Sequence, residues 1–180
     1  MKRFIDYSRA LSLCGVALAM SGAVILAAAT PAKAAADGAS PLAGTWVLEA
    51  ADTLRPDGVR VRGYGPSPQG RLMIDANGAY SLQIYRRESA KFASGDKARG
   101  TPAEYQAAVL RISAHIGRVT VDPATHTLTF EIASSLFPNW EGAKQVRHYT
   151  LAGDRLSYQV PASATGDGTI AISEWRREAP

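Results

Sequence analysis

From Gly44 to Arg177, the chain consists mainly of short segments in which hydrophobic and polar residues alternate. Alternation with a period of two is typical of β-strands that bury one face. Turn residues separate the segments, and Asn77-Gly78 is a strong hairpin signal. The pattern predicts eight strands, or nine if the short second segment is counted: Thr45–Ala51, Val59–Arg62, Arg71–Ile74, Ala79–Arg86, Arg118–Val121, Thr127–Ala133, Gln145–Leu151, Arg155–Val160 and Thr169–Arg177.

One helix interrupts the predicted strands. Thr101 offers an N-cap hydroxyl, Pro102 suits the first helical position, and Glu104 completes a capping box. Apolar residues then recur at helical spacing as far as Ile112, and Gly117 supplies a stop. The single apolar stripe predicts that the helix packs across a wall or an opening of the sheet.

Consecutive antiparallel hairpins leave two sheet edges, which closure into a barrel removes. Eight strands give a barrel whose interior can hold one small ligand. The predicted fold is therefore an all-β antiparallel barrel with one short helix, and a β-sandwich is the alternative.

The N-terminal segment has the organisation of a secretory signal peptide. Basic residues precede an uncharged apolar run, and Ala32-Lys33-Ala34 supplies small residues before a cleavage point. We therefore expect residues 1–34 to be a signal, 35–41 a flexible lead-in and 42–180 one barrel domain. The protein would be periplasmic or secreted, in contact with the membrane only through its export signal; retention of the segment as an anchor is the alternative.

Removal of that segment changes the charge balance. The whole chain has 20 Lys and Arg against 16 Asp and Glu, and residues 1–34 contain four of the basic residues and one acidic residue. The remainder has 16 basic against 15 acidic residues. This near-neutral balance does not indicate the basic surface that nucleic-acid binding requires. Cys14, the single cysteine, lies in the same segment, so no disulfide is expected.

Several stretches together resemble the bacterial lipocalin-like domain family. They are "LAGTWVLEA", "YGPSPQGRLMIDANGAYSLQI", "AHIGRVTVD", "SSLFPNWEGAKQVRHYTLAGDRLSYQ" and the late "EWRR". The resemblance runs from Leu42 to Arg177 and implies a small antiparallel lipocalin-like barrel. It also implies that Gly44 and Trp46 on the first strand form a structural signature, with an arginine of the last strand packed across the indole. Arg176 is the expected partner, and Arg177 beside it is the alternative.

Arg147 is the leading candidate for ligand binding, because it lies in the most specific part of the resemblance and its fork of donors suits planar oxygen ligands. If Arg147 and Glu131 both face inward, they form a buried pair that orients a carboxylate, carbonyl or hydroxyl group. Tyr149 shares the strand face of Arg147. Further candidates are the loop residues Asn139, Trp140 and Tyr64, whose aromatic rings could form a ligand wall or a plug.

The histidines at 115, 126 and 148 lack metal-ligand spacing, so neither a metal nor another cofactor is predicted. His115 is expected near the end of the helix. Relatives in the resembled family carry histidines where this chain has Phe130 and its neighbours, which lowers the case for catalysis. The predicted function is binding of a small, mostly hydrophobic ligand by a monomer. The alternatives are a filled barrel acting through its surface in the envelope or as an inhibitor, and an isomerase or cyclase.

Overall fold

The computed structural model describes residues 39–165 and 167–179. The predicted signal (1–34) and most of the predicted lead-in (35–41) lie outside the described residues. The elements are β1 (Gly44–Leu54), β2 (Arg60–Val61), β3 (Gln69–Ile74), β4 (Ala79–Tyr85), α1 (Pro102–Leu110), β5 (Ile112–Asp122), β6 (Thr127–Ser135), β7 (Lys144–Ala152), β8 (Arg155–Val160), α2 (Ala162–Thr165) and β9 (Ile170–Arg177), with a 3-10 turn at Pro138–Trp140.

The strands form one antiparallel sheet that closes on itself. Each barrel strand pairs with the next along the chain, and β1 also pairs with β9 from Trp46↔Arg177 to Leu54↔Ile170. Eight strands make the barrel, and the two-residue β2 is an extra strand on the far end of β1. The predicted closed barrel is confirmed. Closure gives hydrogen-bond partners to the backbone N–H and C=O groups that the edge strands of an open sheet would leave unpaired.

The two ends of the barrel differ in how the strands are connected. Short turns join β3 to β4, β5 to β6 and β7 to β8 at one end, which we call the closed end. The longer connections lie at the opposite end, which we call the mouth. Large side chains that are almost fully buried fill the closed end: Leu42, Trp46, Leu72, Leu128, Leu156 and Trp175.

Trp46 has the structural role that was predicted, but its partner is Arg177. The Arg177 guanidinium carbon lies 4.1 Å from the centre of the indole, and the same group donates hydrogen bonds to the Ala43 and Pro41 carbonyls. The indole Nε1 of Trp46 donates to the Leu42 carbonyl at 2.9 Å. Arg176 instead faces outward and donates to Glu49 at 3.1 Å, because neighbouring strand residues point to opposite faces.

The helix α1 begins as predicted and ends earlier. Thr101 and Glu104 form the predicted capping box, but the helix stops at Leu110, and Ile112 is the first residue of β5. None of the residues of α1 is buried. The apolar stripe of the helix is therefore not buried against the barrel, since Tyr105, Val109 and Leu110 stay exposed. In the described part of the chain, no helix has both the length and the apolar composition that are needed to cross a bilayer.

Candidate functional site

A small cavity lies inside the barrel on the side of the mouth. Its volume is about 90 Å³. Strand residues form its walls, including Leu82, Ile84 and Val160, while half-buried residues from three separate connections surround its outer side: Tyr64, Trp140 and Thr165. Ligand pockets more commonly measure about 300–1,000 Å³. The space suits a very small molecule, or one end of a larger molecule that extends through the mouth.

Arg147 faces this cavity from β7. In the antiparallel register of β6 and β7, Leu128 lies opposite Arg147 and Phe130 lies opposite Gln145, so all four share the inner face. The Arg147 side chain is buried, with 2% of the residue exposed. Its guanidinium carbon lies 4.0 Å from the centre of the Phe130 ring, and its Nη2 donates a hydrogen bond to Gln145 Oε1 at 2.8 Å.

Glu131 does not take part in this site. Phe130 points inward, so the next residue must point outward. Glu131 lies opposite Lys144 in the register and accepts a hydrogen bond from its Nζ at 2.6 Å on the outer face. The predicted buried pair of Arg147 and Glu131 is therefore not formed.

The loop candidates divide into two groups. Tyr64 and Trp140 line the cavity, and the Trp140 Nε1 donates to the Ala164 carbonyl of α2 at 3.0 Å. This bond links the two connections that partly cover the mouth. Asn139 is exposed in the 3-10 turn and lies outside the cavity lining. Tyr149 is half-buried near the closed end, with its ring 6.0 Å from that of His126, and it does not line the cavity either.

His115 is part of the site, although the sequence placed it near a helix end. It lies on β5, lines the cavity, and its Nδ1 is 2.8 Å from the Tyr80 hydroxyl oxygen. Burial, with a smaller contribution from the positive charge of Arg147, lowers the His115 pKa to about 3. The imidazole is therefore neutral at physiological pH. Its inward position follows from the alternation of residues along β5. The sequence prediction missed this alternation because it extended the helix past Ile112 and so included His115.

Tyr158 also lines the cavity, with its ring centre 5.3 Å from the Arg147 guanidinium carbon. Burial raises the Tyr158 pKa, and Arg147, Ser173 and Trp175 nearby oppose that rise only in part. Burial likewise raises the pKa of Tyr80. Both phenols are thus neutral. The Tyr158 hydroxyl and the Arg147 Nε are buried without a well-aligned hydrogen-bond partner.

The profile of one family, described as the lipocalin-like domain, matches residues 43–177. The chain belongs to this family. Searches of curated proteins and of solved structures found no match. The lipocalin-like domain accounts for the closed barrel and is compatible with a small ligand inside it.

No cluster of three or more His, Cys, Asp or Glu side chains that could hold a metal ion occurs among the described residues of the domain. The charged groups at the cavity wall are Arg147 and Asp52, and Asp52 is paired with Arg60 at 2.6 Å. The neutral polar groups around the cavity are those of His115, Tyr80, Tyr158, Gln145, Thr53, Ser113 and Ser173. Such a set can bind and orient an oxygen-bearing group within an otherwise apolar wall.

Proposed function

We propose that this lipocalin-like domain binds a small molecule inside its barrel, at the cavity below the mouth. The observation that carries the proposal is the buried, inward-facing Arg147, whose side chain lines the cavity inside the barrel. Apolar walls would hold the body of the ligand, and Arg147 would orient a polar end. A few polar groups in an apolar concavity are the usual construction of such sites.

Binding is a better account of this cavity than catalysis. His115 is the obvious candidate for a proton-transfer group, but a general base works best when its pKa is close to the operating pH. A pKa of about 3 makes the imidazole a weak base at neutral pH. An isomerase or cyclase would therefore need a different group to move the proton.

We propose, further, that the protein is exported. This part of the proposal depends on the sequence of residues 1–34, with its basic start, apolar run and small residues before the expected cleavage after Ala34. N-terminal sequencing of the protein recovered from the producing cell tests it. An N-terminus at Ala35 is the expected result, and recovery of the intact N-terminus in the cytoplasm would contradict it.

A cavity-filling variant tests binding. Ala51 is buried and lines the cavity, so Ala51→Phe should occupy the space that a ligand needs. Ala133→Phe is the matched control, because Ala133 is exposed on β6. Mass spectrometry under native conditions should detect a small molecule retained by the wild type and by Ala133→Phe, and lost from Ala51→Phe. Retention by a folded Ala51→Phe protein, checked by circular dichroism, would exclude the barrel interior as the binding site.

A further inference from the structure

The positive charge of Arg147 has no anionic partner among the described residues. Its one side-chain hydrogen bond goes to the neutral amide of Gln145. The acidic residue at the cavity wall, Asp52, is bound by Arg60 at 2.6 Å, and Glu131 is bound by Lys144. An isolated buried charge is costly, and proteins usually pair it. The arrangement is therefore incomplete without a negative group supplied from elsewhere.

The neighbouring titratable groups do not supply that negative charge. Burial raises the pKa values of Tyr158 and Tyr80, so both phenols stay protonated. Burial lowers the His115 pKa, so the imidazole stays uncharged. Arg147 thus keeps a positive charge without a counter-ion, and its Nε and the hydroxyl of the adjacent Tyr158 are buried without a well-aligned hydrogen-bond partner.

We propose that the ligand is a small monocarboxylate whose oxygens bind the Arg147 guanidinium and the Tyr158 hydroxyl. The proposal rests on the proposed function and names the chemical class of the ligand. The Arg147 Nε and the Tyr158 hydroxyl are buried polar groups of the cavity lining that have no well-aligned hydrogen-bond partner. A carboxylate presents two oxygens in one plane, which matches the donor fork of arginine.

Charge and size favour a carboxylate over a phosphate. A monocarboxylate neutralises the single charge of Arg147, whereas a phosphate dianion would leave one negative charge in an apolar barrel. A cavity of about 90 Å³ is well below the common pocket range of about 300–1,000 Å³, which favours a small ligand. Leu82, Ile84 and Val160 provide apolar contacts for a short alkyl chain. A longer chain would have to pass between Tyr64 and Trp140 at the mouth.

The test compares two probes of nearly equal shape, sodium butyrate and butyramide, by titration calorimetry on the full-length chain. A hydrogen bond to a charged group contributes about 1.5–3 kcal/mol, so butyrate should bind roughly ten- to a hundredfold more tightly than butyramide. Arg147→Met should abolish this preference. Arg155→Met is the control, because Arg155 is exposed and pairs with Glu49 on the outside of the barrel. It should bind both probes as the wild type does.

The outcomes separate this proposal from the more general one. Equal affinity for butyrate and butyramide, with both lost in Ala51→Phe, would overturn the carboxylate and leave binding in the barrel intact. An Arg147→Met protein that still prefers butyrate would also overturn it, and Arg147→Gln serves as a second variant if the methionine variant does not fold. Displacement of butyrate by an equal concentration of inorganic phosphate would contradict the choice of a monocarboxylate.

Discussion

The guanidinium of Arg147 stacks on the Phe130 ring of the neighbouring strand, with 4.0 Å between the guanidinium carbon and the ring centre. A cation–π contact of this kind contributes about 0.5–2 kcal/mol. Removal of a charge from water costs several kcal/mol. The stacking therefore offsets only part of the cost of burying Arg147, and the remainder lowers the stability of the ligand-free barrel.

Replacement of Arg147 by methionine should stabilise the protein. The change removes a buried charge without a counter-ion and keeps an apolar chain of similar length against Phe130. The expected gain in the free energy of unfolding is about 1–2 kcal/mol, measured by urea denaturation. Most core substitutions destabilise a protein, so the sign is informative. A loss of more than about 1 kcal/mol would show that Arg147 stabilises the empty barrel.

Two adjacent arginines at the end of β9 should differ strongly in their contributions. Arg177→Gln removes the contact with Trp46 and hydrogen bonds to two carbonyls, which should cost about 2 kcal/mol. Arg176→Gln removes an exposed pair with Glu49, which should cost less than about 1 kcal/mol. Denaturation of the two variants side by side measures both. Equal losses would be inconsistent with the closed-end role assigned to Arg177.

The stability of the protein should fall in acid partly through His115. Its pKa is about 3 in the folded protein, against about 6.5 in the unfolded chain. Between these values the unfolded chain binds a proton that the folded protein does not. The free energy of unfolding should therefore decrease as the pH falls from about 6.5 toward 3, by at most about 1.4 kcal/mol per pH unit.

The pH dependence of unfolding in His115→Gln isolates this contribution. That variant should lose the His115 part of the slope, whereas His148→Gln, at an exposed position of β7, should keep it. A His115→Gln protein whose stability varies with pH as the wild type does would show that His115 titrates normally.

The hydrogen bond from Trp140 to Ala164 should control how firmly the mouth is covered. Trp140→Phe keeps an aromatic ring over His115, whose centre lies 5.9 Å from the indole, but removes the Nε1 donor. Hydrogen exchange of backbone amides around residues 162–165 should then be faster, while that of β6 and β7 should stay unchanged. Uniform acceleration over the whole barrel would indicate loss of global stability instead.

The strands could be predicted because their inner residues alternate with polar ones and because Asn77-Gly78 and similar turns separate them. The end of α1 could not be predicted from the sequence. Ile112 continues the helical spacing by coincidence, and its actual role depends on pairing with Tyr85 of β4, which local sequence does not reveal. The same error hid His115, which becomes an inward-facing residue only once β5 is known to begin at Ile112.

The site was predictable in part. Arg147 follows from alternation on β7 and from its place in the family motif. The failure of the Glu131 pairing follows from the register that sets Phe130 opposite Gln145 and Glu131 opposite Lys144. That register depends on the two strands meeting in space. The choice between Arg176 and Arg177 has the same origin, because the strand pairing with β1 decides which of them reaches Trp46.

The pairing of Trp46 with Arg177 brings the beginning of β1 and the end of β9 side by side at the closed end, away from the mouth. A support or fusion partner attached through either of these strand ends would therefore hold the barrel by its base. The cavity entrance around Tyr64 and Trp140 would then face the solution. Immobilised protein should accordingly capture ligands as readily as free protein. The closed end is therefore a suitable attachment site when the protein is used to purify its ligand.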